Sequence, residues 1–165
     1  MVIILMGVSG SGKTAVGRQL AREIEGIFQD GDWFHPSANI AKMRSGQPLN
    51  DRDRLLWLEI LGNAIGYWSQ EAKPYIIACS ALKSDYRAAL QRGRQGIYFI
   101  YLKGSKTLIQ QRLTTRTNHF MPVRLLESQF STLEVPEDIP AIDIAPTIDE
   151  IVAKIIPLIQ HWQSP

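Results

Sequence analysis

Gly7-Val8-Ser9-Gly10-Ser11-Gly12-Lys13-Thr14 decides the reading of this chain, because it fits G-x-x-x-x-G-K-[ST] at every fixed position. Before it, Met1-Val-Ile-Ile-Leu-Met6 is apolar throughout and reads as a buried first strand. After it, Val16, Leu20 and Ile24 recur every four residues, which predicts a helix from Lys13 to about Glu25 with Gly26 as its stop. A strand, a glycine loop and a helix that opens inside the loop form the setting this motif requires. Glycines at 7, 10 and 12 allow backbone shapes that a Cβ would strain, so successive N–H groups can converge on an anion. The helix N-terminus adds its own positive field. The loop from Gly7 through Val8, Ser9, Gly10, Ser11, Gly12 and Lys13 to Thr14 is therefore expected to hold ATP. Lys13 would neutralise the β- and γ-phosphate oxygens and the Thr14 hydroxyl would ligate Mg²⁺. The loop alone does not choose among kinases, GTPases, ATPases and motor proteins.

Outward from the loop, short apolar runs recur at Val2–Met6, Ile27–Gln29, Tyr75–Cys79, Ile97–Leu102 and Ala141–Ala145, with helical patterns between them. Runs that are apolar throughout suit a parallel sheet covered by helices on both faces, which predicts an α/β fold in three layers, α/β/α. A long helix is expected after Asn50 or Asp51, burying Leu58, Leu61, Ile65 and Trp68. Thr147-Ile-Asp-Glu150 fits a capping box ahead of Ile148, Ile151, Val152, Ile155 and Ile159, and Pro157 is expected to kink that last helix or end it early.

The bulk properties fit one domain. The chain has 165 residues, 45% hydrophobic and 21% charged, with a formal net charge of +2, and only short basic groups. That balance gives no reason to expect nucleic acid or an anionic membrane as a partner. The first apolar run is too short to span a bilayer. The one cysteine, Cys79, lies inside an apolar strand and reads as a reduced core thiol, which makes a cytoplasmic setting the default.

The second strand leads into Asp30-Gly31-Asp32, and parallel strands present their C-terminal ends on one edge of the sheet, so both carboxylates should face the phosphate loop. Asp32 would accept or orient an attacking hydroxyl and Asp30 would hold the hydration shell of Mg²⁺, although the two roles can be exchanged. No Asn-Lys-x-Asp is present to read guanine, and the third strand runs into Cys79-Ser80-Ala81-Leu82-Lys83 rather than an aspartate. A hydroxyl and a cation at that edge suit a polar acceptor better than a hydrolytic water.

The residues that carry a family resemblance run nearly end to end. They are the loop itself, Asp30-Gly-Asp32 with His35-Pro36, Asn39-Ile-x-Lys-Met43, Ser45-Gly-x-Pro-Leu-Asn-Asp51, Asp53-Arg54 and Trp57-Leu58. Further on come Cys79-Ser-Ala-Leu-Lys83, Tyr86-Arg87, Phe99-Ile-Tyr-Leu-Lys-Gly104, His119-Phe120, Gln129-Phe130 and Thr132-Leu133. In these the chain resembles the gluconokinase family of small P-loop kinases, related to shikimate and nucleoside monophosphate kinases. The resemblance implies a P-loop NTPase fold like that of the nucleoside monophosphate kinases. It would have a five-stranded parallel sheet, a helical substrate-binding segment over about 34–70 and a small lid over about 116–130. It further implies transfer of the ATP γ-phosphoryl group to the 6-hydroxyl of D-gluconate, and a homodimer. Gluconate carries a carboxylate and a row of hydroxyls, so His35, Arg44, Arg54, Ser80 and Lys83 join Asp32 as candidate substrate residues, with Arg54 preferred for the carboxylate. By the same resemblance Arg112 would contact adenine, Arg116 would act on the transition state, and His119 and Phe120 would form the lid tip. Two alternatives are a shikimate or other small-molecule kinase of this fold and an ATP-binding switch without catalysis.

Overall fold

The computed structural model of the chain describes residues 1–115 and 123–163. Five strands, β1 (Val2–Met6), β2 (Ile27–Asp30), β3 (Tyr75–Ala78), β4 (Ile97–Lys103) and β5 (Ala141–Asp143), form one parallel sheet in the order β2-β3-β1-β4-β5. β1 lies at the centre, with Val2 opposite both Tyr75 and Ile97. Its alternate residues serve both faces, because successive side chains of a strand point to opposite sides. Ile3 and Leu5 join a core with Val16, Leu20, Ile151 and Ile155, while Val2, Ile4 and Met6 join another with Trp57, Leu61, Ile65 and Leu90. That two-sided burial is why β1 is apolar at every position.

Helices α1 (Lys13–Glu23) and α7 (Ile148–Gln163) cover the first face, and α3 (Asp51–Trp68) and α4 (Ser84–Gln91) the second. α2 (Ser37–Arg44) follows a 3-10 turn over Gly31–Phe34, and α5 (Lys106–Thr115) and α6 (Val123–Thr132) flank residues 116–122, which lie outside the described residues. The lid expected over about 116–130 falls partly there, with Arg116, His119 and Phe120; from Val123 onward that segment is α6. Among the described residues no helix is long and apolar enough to cross a membrane.

The capping box expected at Thr147–Glu150 forms, and α3, which begins after Asn50 as expected, has one as well. Asn50 and Asp53 exchange side-chain and backbone hydrogen bonds at 2.8 and 2.9 Å, and Thr147 and Glu150 do the same ahead of α7. Two expectations are corrected. α7 runs through Pro157 to Gln163; the carbonyl of Ala153, four residues earlier, loses its partner, but both residues are exposed and water can replace the bond. α1 ends earlier than Gly26. Glu25 takes the left-handed position at φ 52°, and the N–H groups of Glu25 and Gly26 close on the Arg22 and Ala21 carbonyls. Gly26 is needed for close approach: a Cβ there would stand 2.8 Å from the Pro74 carbonyl oxygen.

On α3 the largest fully buried side chain is Trp57, 1% exposed, rather than Trp68, which is half-buried against Phe34 and Tyr75. The Trp57 indole N–H donates to the buried Gly31 carbonyl at 2.8 Å and so pins the turn that carries both aspartates. Trp57→Phe leaves that carbonyl without its donor and is expected to lower stability by about 1–3 kcal/mol in urea unfolding. A change under about 0.5 kcal/mol, within the range of neutral surface changes, would show that the bond is replaced.

Candidate active site

The loop, the Asp30–Asp32 turn and the end of β3 meet at the C-terminal edge of the sheet, where the Gly7 N–H donates to the Ser80 carbonyl at 3.2 Å. Gly7, Gly10 and Gly12 hold φ of 144°, 82° and 91°, which L side chains rarely adopt. The half-buried Lys13 folds its ammonium into the loop and donates to the Gly7 and Val8 carbonyls, each at 2.9 Å. Burial pulls its pKa below the ordinary lysine range, and Asp32 foremost, with Asp30, works against that shift. From α6, Gln129 Oε1 accepts the Ser9 N–H at 2.6 Å, so that helix is bonded directly to the loop.

Beside the loop lies a cleft of about 280 Å³, walled by Ser9, Gly10, Gly12, Lys13 and Thr14 on one side and by Asp30, Asp32, His35, Arg54 and Ser80 on the other. Asp30 Oδ1 accepts the Asp32 N–H at 3.1 Å. Desolvation, reinforced by Asp32, pushes the Asp30 carboxyl above its usual range, while Lys13 and that N–H pull the other way. The Asp32 side chain itself is 70% exposed and open to the cleft. His35, 8% exposed, stacks on Trp57 with ring centroids 4.4 Å apart, and its Nε2 stands 3.9 Å from Asp32 Oδ1. Burial first, then the Arg54 charge, lowers its pKa to about 4, so the ring is neutral at pH 7. Arg54 lies over the Tyr86 ring at 5.6 Å and donates to the Leu49 carbonyl.

Among the described residues, Gly7, Val8 and Ser11 of the loop do not line the cleft, and three expected residues from elsewhere also stand outside its wall. Lys83 is bound to the Asp51 carboxylate, with both oxygens at 2.8 Å, and Tyr86 donates to the same group. Arg44 is exposed at the end of α2. Arg112 reaches the Ile144 carbonyl at 2.6 Å and passes near Gly12. The wall also contains residues to which the sequence reading gave no role, including Met43, Trp57, Gln129 and Thr132. All four had a signal in the resemblance, but no chemistry pointed to them, and Gln129 meets the loop only because α6 folds back on it.

A complete phosphate loop facing carboxylates, a neutral imidazole and a guanidinium across a small cleft defines an ATP-dependent small-molecule kinase. The shikimate kinase family profile matches residues 9–136. The chain is 43% identical over 163 residues to the thermoresistant gluconokinase of Escherichia coli (strain K12), covering 96% of this chain and 93% of that one. It is 47% identical over 145 residues to the thermosensitive gluconokinase of the same organism, covering 86% and 78%. A crystal structure of a gluconokinase from Sinorhizobium meliloti 1021 superposes with a TM-score of 0.84 at 37% identity, covering 99% and 97%. The chain belongs to the gluconokinase family, a branch of the shikimate-kinase-like P-loop kinases.

Proposed function

We propose that the protein transfers the γ-phosphoryl group of ATP to the 6-hydroxyl of D-gluconate, giving 6-phosphogluconate and ADP. The observation that carries this reading is the convergence of Lys13, Asp32, His35 and Arg54 on one cleft, a set suited to an acceptor with a carboxylate at one end and a primary alcohol at the other. Asp32 takes the proton of the 6-hydroxyl as its oxygen forms the new bond to phosphorus and the bond to the ADP oxygen breaks. Lys13 offsets the charge that gathers on the phosphoryl oxygens. Arg54 grips the carboxylate, with Ser80 and His35 offering groups to the hydroxyls.

Thr14 and Asp30 fit Mg²⁺: both supply oxygen, and two carboxylates on one turn leave this side of the cleft with negative charge that a divalent cation would relieve. The ion, when bound, neutralises phosphate charge. Arg112 is assigned to adenine and Arg116 to the transition state. Lys83 is assigned to holding Asp51 rather than the substrate, and Arg44 to the outer surface. The proposal includes a cytoplasmic, reducing setting, which suits the buried Cys79 thiol, its pKa pushed up to about 12 by burial.

The test is a panel of gluconate, shikimate, pyridoxal and nucleoside monophosphates, each with MgATP and an ADP readout. Gluconate is expected to give the dominant turnover; preference for another acceptor would overturn the assignment. Arg54→Ala is expected to raise the gluconate KM about 10- to 100-fold, the worth of about 1.5–3 kcal/mol for a hydrogen bond to a charged group, with a smaller change for ATP. The reverse ordering would move the carboxylate contact elsewhere.

A further inference from the structure

Asn39 has no part in the chemistry described above, yet it is 6% exposed on α2 and packs behind His35, outside the cleft wall. Its Nδ2 lies 2.7 Å from the Asp53 backbone carbonyl oxygen and 3.2 Å from His35 Nδ1. A backbone carbonyl has no proton to give, so the atom facing it must be the amide nitrogen. That nitrogen carries two hydrogens and gives one to Asp53 and the other to His35. His35 Nδ1 is then an acceptor, and the neutral ring carries its proton on Nε2, the atom 3.9 Å from Asp32 Oδ1. A ring turned over would keep its stack on Trp57 but set Cδ2–H in place of Nδ1, and the Asn39 amide would lose its acceptor. Protonation of Nδ1 would set a donor against a donor, and Arg54, from α3, opposes a charged ring as well.

We propose that Asn39 is a positioning residue for phosphoryl transfer: it fixes His35 as the Nε2–H tautomer, so that the imidazole presents a donor, and not a base, to the Asp32 carboxylate and the acceptor beside it. At 3.9 Å the Nε2–H lies beyond hydrogen-bond length of the free carboxylate, so it favours the charged form of Asp32 and leaves proton removal to that residue. The kinetic half of this proposal rests on the phosphoryl-transfer reading above; the tautomer does not.

The experiment has two arms. In the full-length ¹⁵N-labelled protein at neutral pH, two-bond ¹H–¹⁵N spectra of the histidine rings read the tautomer, with His35→Gln identifying the His35 signals among those of His119 and His161. His35 is expected as Nε2–H, and Asn39→Asp, which offers Nδ1 an acceptor, is expected to move the proton to Nδ1. In steady-state kinetics, Asn39→Leu is expected to lower kcat about tenfold or more, as loss of a tautomer-fixing partner does, with the MgATP KM within about twofold. In a His35→Gln background, where the carboxamide brings its own donor, the same change is expected to cost less than about twofold further. A wild-type ring protonated on Nδ1, or equal losses from Asn39→Leu in the two backgrounds, would overturn the proposal. If Asn39→Leu does not fold, the isosteric Asn39→Asp and the wild-type spectrum decide. A panel won by another acceptor overturns gluconate alone, and the kinetic cycle is then run with that acceptor.

Discussion

Lys13→Ala is expected to lower phosphoryl transfer about 10³-fold or more, the range for removal of a preorganised charge stabiliser, while the protein stays folded. In the structure the ammonium is held by the Gly7 and Val8 carbonyls, at the rim of the cleft and on the path of the phosphate loop. Desolvation disfavours its charged form, and the two aspartates opposite favour it. A bound triphosphate adds negative charge beside it, so the ammonium is most strongly favoured when the nucleotide is in place. Alanine removes this charge where charge on the transferring oxygens develops, and a water in its place would bring no fixed positive charge. The fold does not depend on it: β1 is buried along its whole length, and Val16 and Leu20 anchor α1 through the core. A coupled ADP assay beside a thermal melt separates the outcomes. Undiminished turnover would remove Lys13 from the chemistry, and loss of the cooperative melt would give it a structural role instead.

What was legible in the sequence was what short-range pattern can carry. The central strand and the phosphate loop are contiguous, and the α3 and α7 caps span three residues, so each could be read locally. Strand order could not, because nothing within β1 says that β3 and β4 flank it. Site residues divide in the same way. Asp32 and His35 ride on the turn after β2 and could be placed from the motif. Lys83 looked available because its partner Asp51 lies 32 positions away. Trp57 reaches Gly31 across 26 positions, Asn39 reaches Asp53 across 14, and Gln129 reaches Ser9 across 120. For Trp57 a signal existed: with Leu61 and Ile65 it forms a run of fours on the buried face of α3. The early helix end expected at Pro157 and the stop expected at Gly26 failed for a different reason. They are statements about backbone cost, and at Pro157 solvent exposure reduced that cost, while at Gly26 a neighbouring strand, rather than helix termination, required the missing Cβ.

Asp32→Asn is expected to lower kcat about 10²-fold or more, the span of general-base contributions, with ATP affinity within about threefold of the parent. The substitution keeps the size of the side chain and an oxygen facing His35 Nε2, and the imidazole is held by its stack on Trp57 and by Asn39, so the turn and the ring should stay in place. What it removes is the capacity to take a proton. Nucleotide affinity should survive because the contacts assigned to the nucleotide come from the loop, Asp30 and Arg112, and Asp30 is held separately by the Asp32 backbone N–H, which the substitution does not touch. Asp30→Asn supplies the contrast: it should raise the Mg²⁺ concentration needed for half-maximal rate. Isothermal titration with a non-hydrolysable ATP analogue, set beside kcat at saturating acceptor, reads both quantities. If Asp32→Asn loses nucleotide affinity while Asp30→Asn loses kcat, the two carboxylates exchange roles, and the base belongs to the half-buried member of the pair.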